Sequence, residues 1–284
     1  MHFGCEDKSA LDAAAKYVRN LKPDAVIVTG DISKDGLATE LNAACDWIRS
    51  LEAPAMLTPG NHDVPYYEMW GRIFYPWDRI RAAQHGIQCD AWHTDQWSIV
   101  PVNTARAWQF RMNWAQGEIS RGQTAIAAAE LQRAKPGALR IIITHHPLDW
   151  PNDAPIKGIT RGGVRGLRKL ADAGAELFLA GHLHFASARL FETPRALNRQ
   201  RHALTALRHE PCAFTVIRRP EPRSSRLRWC TSSKVFVKLR ARGSSGSTRH
   251  ANPERLRRSP QSRRQRFPAR IKVGVTDSVL NTRA

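Results

Sequence analysis

The chain has 284 residues and a formal net charge of +19, and this length can bury a core in one large domain or two small ones. It contains no run of about 18 apolar residues, so the sequence predicts no membrane-spanning helix and no membrane partner. The first ten residues include Glu6 and Asp7 and lack the apolar stretch of a secretory signal. The five cysteines form no C-x-x-C pair. These features predict a cytoplasmic protein with reduced thiols.

The positive charge is concentrated at one end of the sequence. Residues 1–217 carry 25 Lys and Arg against 22 Asp and Glu, whereas residues 218–284 carry 19 against 3. Arg, Ser and Pro dominate the second stretch, which shows almost no helix or strand periodicity, so we expect a disordered basic tail there. The sequence therefore predicts a folded domain at 1–217 and a tail at 218–284. Such a tail fits nucleic-acid binding through phosphates, but we favour the interpretation that it is a segment without a selected role.

Helical and strand periods alternate along the first domain. Apolar residues at helical spacing predict a helix that begins at a capping pair formed by Ser9 and Asp12, followed by helices over about 37–51, 121–134 and 165–173. Short apolar runs predict strands in the segments DAVIVTGD, PAMLTPGNHD, QWSIVPVNTA, LRIIITHHP and AELFLAGHLH. Strands that alternate with helices predict an α/β layered fold.

Four of these strands end in side chains that can bind a metal ion. Ligands of α/β sheets bind beyond the carboxyl ends of the strands, so we expect these side chains to converge on one cleft. Each motif alone also fits an ordinary turn, but together they form a mixed nitrogen and oxygen set that suits Mn, Fe, Zn or Co. The residues are Asp31, Asn61, His62, Asp63, His145, His146, His182 and His184.

The order of the motifs GD, GNHD, HHP and GHLH resembles the calcineurin-like metallophosphoesterase family. HFG at the start and VNTAR at 102–106 are most similar to its cyclic-nucleotide phosphodiesterase branch. The resemblance runs from residue 2 to about 217. It implies a two-sheet β-sandwich flanked by helices, in four layers, with a dinuclear metal site at the strand ends. The segment EPCAFTVIR, at 210–218, resembles a closing strand of that fold.

The resemblance also implies a role for each motif residue. Asp31 would be the carboxylate that bridges two metal ions. His62, held by Asp63, would donate a proton to the leaving group or stabilise the transition state. His146 would be a neighbour of the site and not a ligand. The remaining ligands would be Asn61, His145 and His182 for one ion, and His2 and His184 for the other.

The expected activity is metal-dependent hydrolysis of a phosphodiester or phosphomonoester. Two metal ions about 4 Å apart would lower the pKa of a bridging water, and the resulting hydroxide would attack phosphorus in line. The developing negative charge would lie between the metal ions and His62. The substrate would be a small phosphoester. Cyclic nucleotides, glycerophosphodiesters and nucleic-acid ends all remain open.

The sequence departs from the family pattern at its start. The first motif of the family is Asp-x-His after a strand, and here His2 is present without the Asp or the strand. The alternative interpretation is therefore an inactive, truncated remnant of the fold, whose tail binds nucleic acid or has no role. If that Asp is missing from the protein, the ion at Asn61, His145 and His182 should bind more tightly than the other.

Overall fold

The structure, a computed structural model, describes residues 1–108, 115–150, 158–184, 187–193, 196–204 and 214–217. Residues Met1–Thr215 belong to one compact unit. The predicted tail at 218–284 lies outside the described residues. None of the helices in the described ranges is long and apolar enough to cross a membrane.

Helices and strands alternate through most of the described chain. The helices are α1 (Lys8–Leu21), α2 (Ala38–Arg49), α3 (Met69–Phe74), α4 (Asp78–Ala83), α5 (Arg121–Gln132) and α6 (Gly163–Asp172). The strands are β1 (Val26–Val28), β2 (Ala55–Leu57), β3 (Trp92–His93), β4 (Trp97–Val102), β5 (Leu139–Thr144), β6 (Leu177–Ala180), β7 (Ser187–Thr193) and β8 (Ala196–Leu204).

The strands form two sheets. Strands β1 and β2 pair in parallel, and the larger sheet has the order β3-β4-β5-β6-β8-β7. In that sheet β4, β5, β6 and β8 are parallel, and the edge strands β3 and β7 run antiparallel to their neighbours. The predicted α/β fold with two sheets is therefore confirmed.

Alternating side chains on the strands build the layers. Ile141 and Ile143 of β5 pack between the two sheets, where they join a cluster with Met56 of β2. Ile142 points to the opposite face of the large sheet and joins a cluster that includes residues of α5 and α6. Each fully buried side chain of this size contributes about 1.5–3 kcal/mol of transfer free energy. Two apolar faces on one strand require cover on both sides of the sheet.

The outer face of the small sheet is covered in the same way. Leu57 of β2 lies in a cluster with Leu41 and Ile48 of α2 and Ile80 of α4. The layers are therefore helices, small sheet, large sheet and helices, as the family resemblance implies.

Helix α1 begins differently from the prediction. Its N-cap is Asp7, whose carboxylate accepts a hydrogen bond from the Ala10 amide at 3.1 Å. Ser9 lies inside the helix, and its hydroxyl donates to Asp7 Oδ1 at 2.8 Å. The predicted capping pair of Ser9 and Asp12 is wrong, because a stronger acceptor stands two residues earlier.

The large sheet is completed by a hairpin that the apolar pattern does not reveal. Strands β7 and β8 follow the GHLH motif, and β8 pairs with β6. The sequence of β8, ALNRQRHAL, has no apolar alternation, so its place in the sheet could not be predicted from periodicity. Of the predicted strand at 210–218, only residues 214–217 are described, and they lie outside any strand.

Candidate metal centre

The motif residues meet where the carboxyl ends of the two sheets come together. Asp31 and Asn61 follow β1 and β2 of the small sheet, whereas His145 and His182 follow β5 and β6 of the large one. The sequence predicts one cleft at adjacent strand ends, and the structure forms it from the edges of two separate sheets.

The first group of donors consists of His145 Nε2 and three atoms close to it. This atom lies 3.2 Å from Asp31 Oδ2, 3.1 Å from Asn61 Oδ1 and 3.2 Å from His182 Nδ1. His145 Nδ1 donates to the carbonyl oxygen of Thr29 at 2.7 Å, so in the neutral ring Nε2 carries the lone pair. Ligand atoms at about 2.1 Å from one ion stand about 3.0–3.4 Å apart in octahedral or tetrahedral geometry. The donor types and their spacing fit a metal ion.

The second group of donors also lies beside the Asp31 carboxylate. His2 Nε2 is 3.2 Å from His184 Nε2 and 3.8 Å from Asp31 Oδ2. The backbone amide of His2 donates to the Asp31 carbonyl at 3.0 Å, which anchors His2 beside this carboxylate. Asp31 Oδ2 therefore adjoins both groups of donors.

Four of the donor residues have backbone conformations that non-glycine residues rarely adopt, and these conformations direct their side chains toward the centre. Asp31, His182, His184 and His2 have φ values of 52°, 68°, 50° and 55°, and a non-glycine residue in this region costs about 1–3 kcal/mol. Gly60 is required for a different reason, since a Cβ there would stand 2.2 Å from Asp31 Oδ1. Backbone strain concentrated on the donors is typical of functional sites.

A sequence model described as calcineurin-like phosphoesterase matches residues 1–186. The chain belongs to the calcineurin-like phosphoesterase family. The match spans every motif residue named above, from His2 to His184, and so confirms the resemblance that the motif order indicates.

Individual relatives of this calcineurin-like phosphoesterase are distant. A protein of Synechococcus sp. named "Probable cyclic nucleotide phosphodiesterase" is 32% identical over 62 residues, which cover 22% of this chain and 24% of that protein. The match thus spans about a quarter of the relative's length. A dimetal phosphatase from Danio rerio is 13% identical, with a TM-score of 0.51, over 71% of this chain and 78% of that one. GAP50 of Plasmodium is 13% identical, with a TM-score of 0.46, over 72% and 69%. The zebrafish likeness shows a shared fold.

Burial and charge set the protonation of the metal-free calcineurin-like centre. Burial lowers the pKa of His182 to about 3 and that of His2 to about 4, so both rings are neutral at pH 7. Burial alone would lower the pKa of His145, but the Asp31 carboxylate raises it above its usual value. Burial would raise the pKa of Asp31, and His145 holds it well below the usual range. Below the raised pKa of His145, the metal-free centre therefore contains an Asp31–His145 ion pair.

Metal affinity should rise with pH because His145 has to lose its proton before it binds a cation. The stability that protonated His145 gives the metal-free chain is fully present below its unfolded pKa of about 6.5 and is lost as pH rises through the raised pKa. We expect Mn²⁺ affinity to increase by up to about tenfold per pH unit while the pH is below the raised pKa of His145, and to level off above it. Calorimetry in buffers of different ionisation enthalpy should find one proton released. An affinity independent of pH would contradict this, and His85→Asn, at an exposed histidine, is the control.

His62 and Asp63 do not form the pair that the sequence suggests. His62 Nδ1 donates to the carbonyl oxygen of Lys34 at 2.7 Å. The fully buried Asp63 carboxylate accepts from the amide and hydroxyl of Ser33, each at 2.9 Å, and from the Gly60 amide at 2.8 Å. The prediction that Asp63 holds the His62 ring is therefore wrong. Asp63 instead fixes the loop backbone on either side of the centre, because three buried donors converge on it.

His146 lies beside the donors without an available nitrogen. Its Nδ1 accepts from the Thr104 hydroxyl at 3.0 Å, and its Nε2 donates to the carbonyl of Ala115 at 3.0 Å. Burial lowers its pKa well below the usual value. His146 lies close enough to His145 and His182 to complete a three-histidine group, but both of its ring nitrogens are occupied. This geometry agrees with its expected role as a neighbour.

Replacing His146 by Ala should destabilise the fold and leave metal binding intact. The substitution removes a buried ring, together with its hydrogen bonds to the Thr104 hydroxyl and the Ala115 carbonyl. We expect the free energy of unfolding to fall by about 2–4 kcal/mol. Thermal unfolding and metal analysis of the folded fraction check this. A loss of one bound metal ion with unchanged unfolding would instead make His146 a ligand.

Several residues that shape the centre carry no sequence signal. Thr29 and Lys34 act through backbone carbonyls, which any residue provides. The Trp150 ring meets His182 edge-on, with centroids 5.7 Å apart, and it is one of nine tryptophans that spacing cannot separate into core and cleft. Thr104 belongs to the VNTAR motif, so its place near the centre could have been inferred from that motif.

Proposed function

We propose that this calcineurin-like phosphoesterase hydrolyses a phosphodiester or phosphomonoester with two divalent or trivalent metal ions at the candidate metal centre. The main support for the proposal is the position of one carboxylate oxygen, Asp31 Oδ2. Asp31 Oδ2 lies 3.2 Å from His145 Nε2 and 3.8 Å from His2 Nε2, so a single carboxylate can serve both groups of donors. A buried carboxylate needs a positive partner. Protonated His145 can supply that charge without metal, and cations would supply it when bound.

The grouping of the donors supports a ligand assignment. When bound, the two ions supply Lewis-acid stabilisation of charge on phosphoryl oxygens and acidify water. Asp31 would bind both ions. The remaining ligands would be Asn61, His145 and His182 for one ion, and His2 and His184 for the other.

His62 would act on the leaving group. The bond from Nδ1 to the Lys34 carbonyl fixes the ring orientation and tautomer. The ring meets His2 edge-on with centroids 4.9 Å apart, so His62 stands beside the second donor group. From there the imidazolium form of His62, with its second proton on Nε2, is placed to give that proton to the departing oxygen of a phosphoester and return to the neutral ring.

The substrate is a small phosphoester, and phosphodiesters are the first class to test. The Synechococcus relative is named as a probable cyclic nucleotide phosphodiesterase, and its aligned stretch is similar to part of this chain. Cyclic nucleotides are therefore the natural compounds with which to begin.

The test is hydrolysis of bis(p-nitrophenyl) phosphate and p-nitrophenyl phosphate by the full chain. Activity should require added Mn²⁺, disappear after chelation, and return when Mn²⁺ is restored. Asp31→Asn is the matched inactive control. If the metal-loaded wild type were no faster than Asp31→Asn on either compound or on cyclic nucleotides, the chain would be the inactive remnant that the sequence also allows.

A further inference from the structure

Seven large apolar side chains that follow the GNHD motif are exposed. Tyr67 and Trp70 are 74% and 73% exposed. The rings of Trp70 and Phe74 stack on each other, with centroids 5.7 Å apart and planes 10° apart. Adjoining apolar side chains in this number mark an interaction surface. We call this surface the aromatic patch, and its members are Tyr66, Tyr67, Met69, Trp70, Ile73, Phe74 and Tyr75.

Helix α3 exposes its apolar side chains and buries its charged side chain, which is the reverse of an ordinary surface helix. Its charged residue, Arg72, is only 2% exposed. The Arg72 side chain donates from Nε to the Ala107 carbonyl at 2.8 Å and from Nη1 to the Pro65 carbonyl at 3.2 Å. A surface helix normally buries its apolar stripe and exposes its charges. Core packing therefore does not account for the outward apolar face of α3, and the described residues leave that face uncovered.

The positive charge of the chain indicates an anionic partner for the aromatic patch. The positive charge lies mainly in residues 218–284, which carry 19 Lys and Arg against 3 Asp and Glu. This basic stretch attracts the chain to an anionic surface, and it makes two copies of the chain repel each other. Met69 and Ile73 add aliphatic surface, which nucleic-acid bases do not stack on, whereas acyl chains pack against it. Tyr and Trp are the side chains that settle at the headgroup level of a bilayer. We propose that the aromatic patch binds the surface of an anionic lipid bilayer, with its rings in the headgroup region.

The proposed contact lies on the membrane and does not span it. It differs from the expectation of no membrane partner, which rested only on the lack of a spanning segment. The patch is tied to the loop beside the metal centre, because the Tyr66 amide donates to the Asp35 carbonyl at 3.0 Å. The proposal does not depend on hydrolysis.

Co-sedimentation of the full chain with vesicles tests the proposal. The vesicles are phosphatidylcholine alone or mixed with phosphatidylglycerol, each at low and high salt. The double variant Trp70→Gln, Phe74→Gln removes two rings of the patch. Ile126→Gln, at a 68% exposed position on α5, is the matched control. We expect the double variant to bind mixed vesicles about tenfold or more weakly, with its residual binding abolished by salt, while Ile126→Gln binds like wild type.

Tryptophan fluorescence supplies a second measurement. Quenching by brominated phosphatidylcholine should occur in wild type and be reduced in Trp70→Phe. Equal vesicle binding by wild type and the double variant would overturn the proposal. It would also be overturned if the double variant lost binding to single-stranded RNA but not to vesicles, which would assign the patch to nucleic acid. A wild-type dimer that the double variant converts to monomer would assign it to a second copy.

Discussion

Asp31→Asn should lower metal-dependent hydrolysis by at least about 10³-fold and reduce the bound metal from two equivalents to one or none. The substitution removes the negative charge that both groups of donors share, and stabilisation of charge by metal ions supplies most of the rate acceleration in this kind of reaction. Enzyme assays with metal analysis of the same samples check the result.

Asparagine is the appropriate replacement because Asp31 has a φ of 52°, a conformation that Asn adopts more readily than most residues. It also keeps an oxygen to accept the His62 amide, which donates to Asp31 Oδ1 at 3.0 Å. The control is Asp46→Asn, at an exposed carboxylate that pairs with Arg49. Full metal content and activity in Asp31→Asn would show that Asp31 is not a metal ligand.

The sequence predicts the donors well because each follows a strand with a strong apolar pattern. The run LRIIIT becomes β5, and its burial on both faces leaves His145 no place except the carboxyl edge. The same logic places Asp31 after β1 and His182 after β6. The chemistry of the centre is therefore readable from residue type and from position at a strand end.

Features that depend on tertiary contacts could not be read in this way. The carbonyl partners of His145 and His62 have no residue signature, and the bond from His62 to Lys34 replaces the expected contact with Asp63. Strand β8 gains its place by pairing with β6, in spite of its polar sequence. The outward face of α3 contradicts periodicity outright, because Arg72 is held inside by two carbonyl groups.

His62→Ala should separate proton donation from metal binding. We expect kcat to fall by about 10²–10⁴-fold for substrates with an alkoxide leaving group, because the group that protonates the departing oxygen is gone. The fall should be much smaller for bis(p-nitrophenyl) phosphate, since p-nitrophenolate departs without protonation. Metal content should remain at the wild-type value, because it is the His62 backbone amide, not the ring, that donates to Asp31.

The competing role for His62 is that of a ligand, since its ring lies within reach of His2 and Asp31. If His62 is a ligand, His62→Ala should contain less metal, and kcat should fall equally for all substrates, whatever their leaving group. Assays of alkyl and aryl phosphodiesters, with metal analysis alongside, separate the two roles. His85→Ala, at an exposed histidine, should match wild type in every measurement. Because the Lys34 carbonyl holds Nδ1, only Nε2 of His62 faces the centre, and one atom cannot both carry a transferable proton and bind a cation.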